Sequence, residues 1–248
     1  MTDEAVPVFS DKHMVDQGIL MMQPHDFWQE IHPPATFDTN CGHERFYPAT
    51  LSDGRQVLLP IRPLADGRHA LASLIVNQAS FAVLDTLAED LAARLAPFAP
   101  DVVVGLPTLG LTLASEVARK LGHARYVALG TSRKFWYDEA LSVPLSSITT
   151  PDQNKRLYVD PRMLPLIENR RVALVDDVIS SGRSIRAGLT LLDGLGIRPV
   201  VVGAAMLQSG RWLDTGSEPY SGWTDIVRGC FSTPMLEKGA DGLWHSPT

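Results

Sequence analysis

Residues 171 to 184, with the sequence RVALVDDVISSGRS, constrain the fold more than any other stretch of this chain. The apolar run Val172 to Val175 leads into two adjacent carboxylates, Asp176 and Asp177, and a short serine and glycine loop then precedes a helical pattern. A short apolar run that ends at turn residues favours a buried strand. The stretch therefore predicts a strand, an acidic strand end, a loop and a helix, in that order.

The same order of strand, loop and helix recurs through the middle of the chain. A second apolar strand is predicted from Val102 to Gly105, a third from Tyr126 to Leu129, and a last one from Val200 to Leu207. Strands that alternate with helices indicate an α/β fold with a mostly parallel central sheet and helices on both faces. Ligands of such sheets bind at the carboxyl ends of the strands, so the loops that follow the strands are candidate binding loops.

Three helices are predicted from apolar residues that recur three or four positions apart. The first spans residues 80 to 98, the second follows the loop at 106 to 110 and stops at Gly122, and the third begins after Ser184. Their predicted buried positions are, in turn, Leu84, Leu87, Leu91 and Leu95; Ala114, Val117, Ala118 and Leu121; and Ile185, Leu189 and Leu192.

The loop after the acids has the composition of a phosphate site. Small hydroxyl residues and Gly182 lie at the predicted start of a helix, where unpaired backbone N–H groups and a partial positive charge favour an anion. Two ionised carboxylates beside a phosphate would repel it unless they contact something else. Ribose hydroxyls and a magnesium ion are suitable partners, so the stretch predicts a sugar phosphate site.

Residues 171 to 184 resemble the phosphoribosyl pyrophosphate (PRPP) binding motif of the type I phosphoribosyltransferases, in which a T/S-x-G-x-T/S loop follows two acids. The resemblance implies that family's fold with a small variable hood over the site. It implies that Asp176 and Asp177, expected at an exposed strand end, hold the ribose hydroxyls and Mg²⁺, directly or through water. It further implies that the 5-phosphate is bound by Ser180, Ser181, Gly182, Arg183 and Ser184. The plainer alternative is a solvated acidic turn with a serine helix cap.

Two further loops match the family's order. By resemblance, the loop after the second strand binds pyrophosphate through Thr108, Leu109 and Gly110, although many members carry a charged side chain where Leu109 stands. Residues 131 to 157 lack a clear period, which is typical of a lid, and the resemblance implies a mobile catalytic loop there. Basic groups that close over the pyrophosphate would stabilise developing charge. The candidates are Arg133 and Lys134, with Lys155 and Arg156 as weaker ones; the aromatic residues 135 to 137 would anchor the loop or form a subunit contact.

The resemblance implies a Mg²⁺-dependent transfer of the 5-phosphoribosyl group from PRPP to a nitrogenous base, with release of pyrophosphate, as in nucleotide salvage. Hypoxanthine-guanine members usually carry an acid where Ser180 stands, so an adenine-like or orotate-like acceptor is favoured. Relatives are commonly homodimers, and a homodimer is therefore expected. The alternative function is a regulator that senses PRPP and catalyses nothing, and a third is a hydrolase or interaction protein on the same scaffold.

Composition narrows the class of protein. The 248 residues carry a net charge of -6, which argues against general nucleic-acid binding. The sequence contains no run of 18 apolar residues, so no membrane-spanning helix is predicted. Cys41 and Cys230 form no pattern, which suits a reducing cytoplasm. Cys41 and His43 could be half of a metal site, but no second pair stands at zinc spacing.

The chain is predicted to divide into an extension with a β-rich hood segment (1–78), a PRPP-binding core (79–207) and a tail (208–248). Within the first part, residues 46 to 78 read as strands with Asp-Gly turns at 53–54 and 66–67. The sequence leaves open which end of the chain forms the hood and which aromatic residue stacks on the base. The aromatic candidates are Phe27, Trp28, Phe37, Phe46, Tyr47, Trp212, Tyr220, Trp223, Phe231 and Trp244.

Overall fold

The structure, a computed structural model, describes residues 22–145, 155–213 and 219–247. Within these residues the chain forms three α-helices: α1 (Phe81–Leu95), α2 (Gly110–Lys120) and α3 (Arg183–Asp193). It forms twelve strands: β1 (Phe46–Thr50), β2 (Gln56–Pro63), β3 (His69–Ala72), β4 (Val102–Gly105), β5 (Val127–Ala128), β6 (Ser142–Pro144), β7 (Arg156–Tyr158), β8 (Val172–Ile179), β9 (Val201–Gln208), β10 (Val227–Thr233), β11 (Met235–Lys238) and β12 (Trp244–His245).

The central sheet has five strands in the order β10-β9-β8-β4-β5, and every neighbouring pair is parallel. One row of residues runs across it, with Leu174 of β8 paired to Val104 on one side and to Val202 on the other. Because all five strands point the same way, their carboxyl ends lie at one edge. The predicted parallel sheet is therefore confirmed, and the loops after β4, β5 and β8 leave the same edge.

Helices cover both faces of this sheet, as predicted. Side chains alternate along β8, so that Ala173 and Val175 pack in one core with α1 and α2, while Val172 and Leu174 pack in a second core with α3. The predicted apolar positions of α1 and α3 are buried in these two cores. Ser80 caps the start of helix α1, because its Oγ accepts a hydrogen bond of 3.2 Å from the N–H of Val83.

A second sheet is antiparallel and draws strands from both ends of the chain, in the order β1-β2-β3-β11-β12. Its centre is the pairing of β3 with β11, in which Leu71 lies opposite Met235. Only Pro234 separates β11 from β10 of the central sheet. Both ends of the chain therefore build the hood, and the hood is tied directly to the central sheet.

The tail also completes the central sheet, through β10. The sequence pattern predicts the last core strand at residues 200 to 207 and does not predict β10, whose residues Val227–Thr233 mix apolar and polar side chains. This segment is a strand because it pairs with β9, with Val227 opposite Val202 and Phe231 opposite Met206. Tertiary pairing thus decides the structure of this segment.

The predicted lid segment contains a short hairpin. Strands β6 and β7 pair antiparallel, with Ser142 opposite Tyr158, and Leu157 and Val159 are buried against α3 in the second core. Three-residue strands are too short to show an alternating pattern, so the sequence predicted none here. Residues 146–154 of the predicted lid lie outside the described residues. In the part of the chain that the structure describes, no helix combines the length and apolar character needed to cross a bilayer.

Candidate active site

Asp176 and Asp177 lie in the second half of β8, next to the edge where the loops leave the sheet. Only 5% of Asp176 and 7% of Asp177 is exposed, so the expectation of an exposed strand end was wrong. The strand continues to Ile179, and neighbouring elements cover both acids. The backbone N–H of Asp177 donates a 2.9 Å hydrogen bond to Oδ1 of Asp176.

Burial makes the ionised forms of both acids costly. It raises the pKa of Asp176 well above the ordinary value, and the adjacent charge of Asp177 raises the pKa further. Burial also raises the pKa of Asp177, although hydrogen bonds from Asp176 and from the N–H of Val178 oppose that rise. Two desolvated carboxylates side by side are stabilised by a cation or by hydroxyl donors, which suits a magnesium ion or a diol.

The loop after β4 lies directly against these acids. A Cβ added to Gly110 would lie 2.6 Å from Oδ1 and 2.8 Å from Cα of Asp176, which is closer than van der Waals contact permits. The N–H of Leu106 donates to the carbonyl of Val175 at 2.9 Å, and the peptide bond from Pro107 to Thr108 is cis. The structure therefore brings the predicted pyrophosphate loop and the acids together, and Gly110 is the residue that permits this approach.

Gly110→Ala is expected to push the loop away from Asp176, because the added methyl group meets backbone as well as side chain. Overpacking of this kind costs about 1 to 3 kcal/mol of folding free energy. We expect a lower thermal midpoint together with weaker pyrophosphate binding, measured by thermal unfolding and by calorimetry.

Gly122→Ala is the matched control for Gly110→Ala. Gly122 has a φ of 80°, and no atom stands within 4 Å of an added Cβ, so only backbone strain changes there. A variant Gly110→Ala that bound pyrophosphate as tightly as the control would contradict the close packing of loop and acids.

The serine and glycine loop after β8, called the cradle below, is partly exposed. Gly182 has a φ of 75°, in the left-handed region, and begins helix α3; no described side chain caps that helix end. Trp212 and Trp223 close the cradle from behind, since a Cβ on Gly182 would lie 3.2 Å from Cβ of Trp212 and 3.6 Å from the indole ring of Trp223. Arg183 and Ser184 are exposed at the start of the helix. Backbone N–H groups of this first turn are thus available to an anion.

One residue of this region, Arg211, is not predicted by the sequence pattern. Arg211 lies just beyond the carboxyl end of β9, and its Nη2 donates a 3.0 Å hydrogen bond to Oγ of Ser180. The signal in the sequence was its position shortly after a predicted core strand, at the edge where ligands bind.

The predicted catalytic pair follows β5 at the same edge. Arg133 and Lys134 are both exposed, and Arg133 lies 3.4 Å from Oε2 of Glu139. Within the described residues neither side chain forms a hydrogen bond or an ion pair with Asp176 or Asp177, so their part in the site stays a prediction.

The weaker lid candidates and the aromatic residues have structural partners. Arg156 contacts Glu139 at 3.2 Å and donates to Oγ of Ser142 at 2.9 Å, which holds the hairpin together, and Lys155 is exposed beside it. The indole of Trp136 donates to Asp160 at 3.3 Å. Phe135 is 96% exposed. Most of the candidate base-stacking aromatics are instead buried in the two cores: Phe27, Trp28, Tyr47, Trp212, Trp223, Phe231 and Trp244.

Solved structures share this fold at low sequence identity. The adenine phosphoribosyltransferase of Giardia lamblia complexed with 9-deazaadenine is 18% identical, with a TM-score of 0.52 over 76% of this chain and 93% of that one. The adenine phosphoribosyl transferase of Trypanosoma brucei, in complex with AMP, pyrophosphate and ribose-5-phosphate, is 16% identical, with a TM-score of 0.52 over 76% of this chain and 75% of that one. At these identities the likeness shows the fold alone.

Curated relatives are more similar in sequence. The chain is 33% identical over 148 residues to the Bifunctional protein PyrR of Mycolicibacterium paratuberculosis, which is 57% of this chain and 71% of that protein. It is 37% identical over 106 residues to the Bifunctional protein PyrR of Leifsonia xyli, which is 42% of this chain and 56% of that protein. The chain thus spans only part of the length of these relatives. Residues 72–237 match the family model described as the phosphoribosyl transferase domain. The matched range covers β4, β5 and β8 with all three candidate loops. The chain therefore belongs to the phosphoribosyltransferase family.

Proposed function

We propose that this chain transfers the 5-phosphoribosyl group of PRPP to a nitrogenous base and releases pyrophosphate. The observation that carries the proposal is the packing of Gly110 against Asp176, which joins a candidate pyrophosphate loop to the acidic end of β8. The uncapped start of α3 follows the same strand by a few residues. A sugar with a phosphate at one end and a pyrophosphate at the other is the ligand that this arrangement fits best.

In this proposal Asp176 and Asp177 accept hydrogen bonds from the ribose hydroxyls, and residues 180 to 184 bind the 5-phosphate. The same two acids would hold Mg²⁺, directly or through water, since both offer buried carboxylate oxygens that form no ion pair with a basic side chain among the described residues. When bound, the ion would supply positive charge that offsets the two carboxylates and the charge of the leaving group. The acids meanwhile orient the ribose so that its reacting carbon faces the acceptor.

Pyrophosphate would be bound by backbone N–H groups of Thr108, Leu109 and Gly110. The exposure of Thr108 and Leu109 supports a role for backbone and not for a charged side chain. Arg133 and Lys134 would close over the leaving group as charge develops on it, exclude water and lower the barrier. Both side chains are exposed after β5, so no buried packing has to be broken for them to turn toward a bound ligand.

The acceptor is proposed to be an adenine-like or orotate-like base. Ser180, the first residue of the proposed 5-phosphate loop, carries a hydroxyl group. It cannot act as an acid on a base nitrogen. A homodimer and a cytoplasmic location complete the proposal, the first from the family resemblance and the second from the two unpaired cysteines.

A second candidate function is that of a regulator that binds PRPP as a signal. The relatives whose name is Bifunctional protein PyrR support this alternative. Incubation with PRPP, Mg²⁺ and a panel of bases, while pyrophosphate is monitored, separates the two. Release of pyrophosphate that depends on one base supports the enzyme. Saturable PRPP binding without turnover on any base supports the regulator, and absence of PRPP binding contradicts both.

A further inference from the structure

Arg211 carries a positive charge that no described carboxylate balances. Its Nη2 donates to Oγ of Ser180 and its Nε donates to Oγ of Ser209, each at 3.0 Å. Both partners are neutral hydroxyls, and across residues 22–145, 155–213 and 219–247 no acid forms an ion pair with this guanidinium. The side chain is half-buried, so solvent screens its charge only in part. A guanidinium in these surroundings favours an anionic partner.

The loop that carries Arg211 is held on three sides. The N–H of Ser209 donates to the carbonyl of Thr233 at 2.7 Å, which ties the loop to β10. The amide of Gln208 donates to the carbonyl of Ala72 at 2.5 Å, which ties it to the hood. Trp212 packs behind Gly182 of the cradle. Residues on both sides of Arg211 are therefore anchored, and less conformational entropy is lost when it binds a ligand than for an arginine on an unanchored loop.

The hydrogen bond to Ser180 places this charge at a specific point of the site. Ser180 lies between the acids, which end with Asp177, and the start of α3 at Gly182. A ligand that reaches from the acids to the cradle passes this residue. Because Oγ of Ser180 already accepts from Arg211, its own proton is free to donate to that ligand.

We propose that Arg211 is a substrate-binding residue that takes an oxyanion beside Ser180. The inference rests on the proposed function, because it assigns this charge to the substrates of that reaction. Guanidinium groups present paired N–H donors that match phosphate and carboxylate oxygens, and among the described residues Arg211 uses two of its five donors, on Ser180 and Ser209. The oxyanion comes from one of two sources, the 5-phosphate of PRPP or an acidic group on the acceptor base.

The test compares Arg211→Gln with Arg170→Gln in the full chain. Arg170 is exposed just before β8, at the opposite end of that strand, so its variant controls for the change in net charge. Dissociation constants are measured by calorimetry, with Mg²⁺, for ribose 5-phosphate, adenosine monophosphate and orotidine monophosphate. Loss of a hydrogen bond to a charged group predicts about 10- to 100-fold weaker binding for Arg211→Gln and no change for Arg170→Gln.

The pattern of loss identifies the source of the oxyanion. Weaker binding of all three ligands supports the phosphate as the source. Weaker binding of orotidine monophosphate alone supports the acceptor as the source, since that base carries a carboxylate. Equal affinity of Arg211→Gln and wild type for every ligand overturns this inference while the proposed function stands. If wild type binds none of the three ligands, both fail.

Chemical rescue separates binding from a structural role. Arg211→Ala is titrated with ribose 5-phosphate and orotidine monophosphate in the presence of guanidinium chloride below its denaturing range. If Arg211 binds the oxyanion, free guanidinium restores part of the lost affinity in this variant and does not raise the affinity of wild type. If the loss reflects a displaced loop, guanidinium restores nothing, and the assignment of Arg211 to the substrate is overturned.

Discussion

Replacement of both acids, Asp176→Asn with Asp177→Asn, is expected to weaken PRPP binding by at least about 100-fold, because two hydrogen bonds to charged groups are lost, each worth about 1.5 to 3 kcal/mol. The fold should survive, since asparagine has nearly the same shape and Oδ1 at position 176 can still accept from the N–H of residue 177. Calorimetric titration with PRPP and Mg²⁺ measures the loss.

The same double variant should be more stable than wild type without ligand. Burial raises the pKa of both acids, so the folded state binds their protons more tightly than the unfolded state does. Wild type therefore loses stability as the pH rises from the ordinary aspartate range through the raised values, and the amides do not. Each tenfold difference in proton affinity corresponds to about 1.4 kcal/mol.

Thermal unfolding at acidic and at neutral pH checks the direction of this pH dependence of stability. We expect the double variant to have the higher midpoint at neutral pH, with a smaller advantage in acid. An unchanged PRPP affinity would contradict the proposed role of the acids. A lower midpoint of the double variant at neutral pH would contradict the claim that burial makes the ionised acids costly. Asp193→Asn is a suitable control, because that acid is partly exposed at the far end of α3 and pairs with Arg198.

Lys134→Ala is expected to lower kcat by about 100-fold while the dissociation constant of PRPP changes little. Lys134 is exposed, and among the described contacts it touches neither acid. A contact that forms only as charge develops on the leaving group affects the rate more than ground-state binding. Single-turnover kinetics together with PRPP titration separates the two quantities.

Lys120→Ala is the matched control for the lid. Lys120 ends α2 at the end opposite Gly110 and pairs with Asp85 at 2.6 Å, so its removal should leave the rate unchanged. If Lys134→Ala raised KM with kcat intact, Lys134 would bind substrate uniformly and would have no lid role.

The pattern in the sequence predicted the parts of the fold that are locally encoded. The short apolar run before Asp176 ends at turn residues, and the leucines of α1 recur with a period of 3.6 residues. These patterns predict a strand and a helix without tertiary information. The order of these elements then predicted the parallel sheet and the edge where its loops meet. The packing of Gly110 on Asp176 agrees with that prediction.

Features that depend on tertiary contacts could not be predicted from the sequence. The strand β10 owes its structure to pairing with β9, and the hood joins segments about 160 residues apart, such as Leu71 and Met235. The burial of Asp176 depends in part on Gly110, which is distant in sequence. The link from Arg211 to Ser180 spans 31 residues, and the position of Arg211 after a predicted strand does not indicate which side chain it contacts.

The central claim is that the loops after β4 and β8 form one PRPP site with the acids between them. A crystal structure of the chain with PRPP and Mg²⁺ tests it most directly. We expect the ribose hydroxyls on Asp176 and Asp177, the 5-phosphate on residues 180 to 184 and the pyrophosphate on residues 108 to 110. Electron density for PRPP elsewhere, or with its pyrophosphate far from Gly110, would contradict the account.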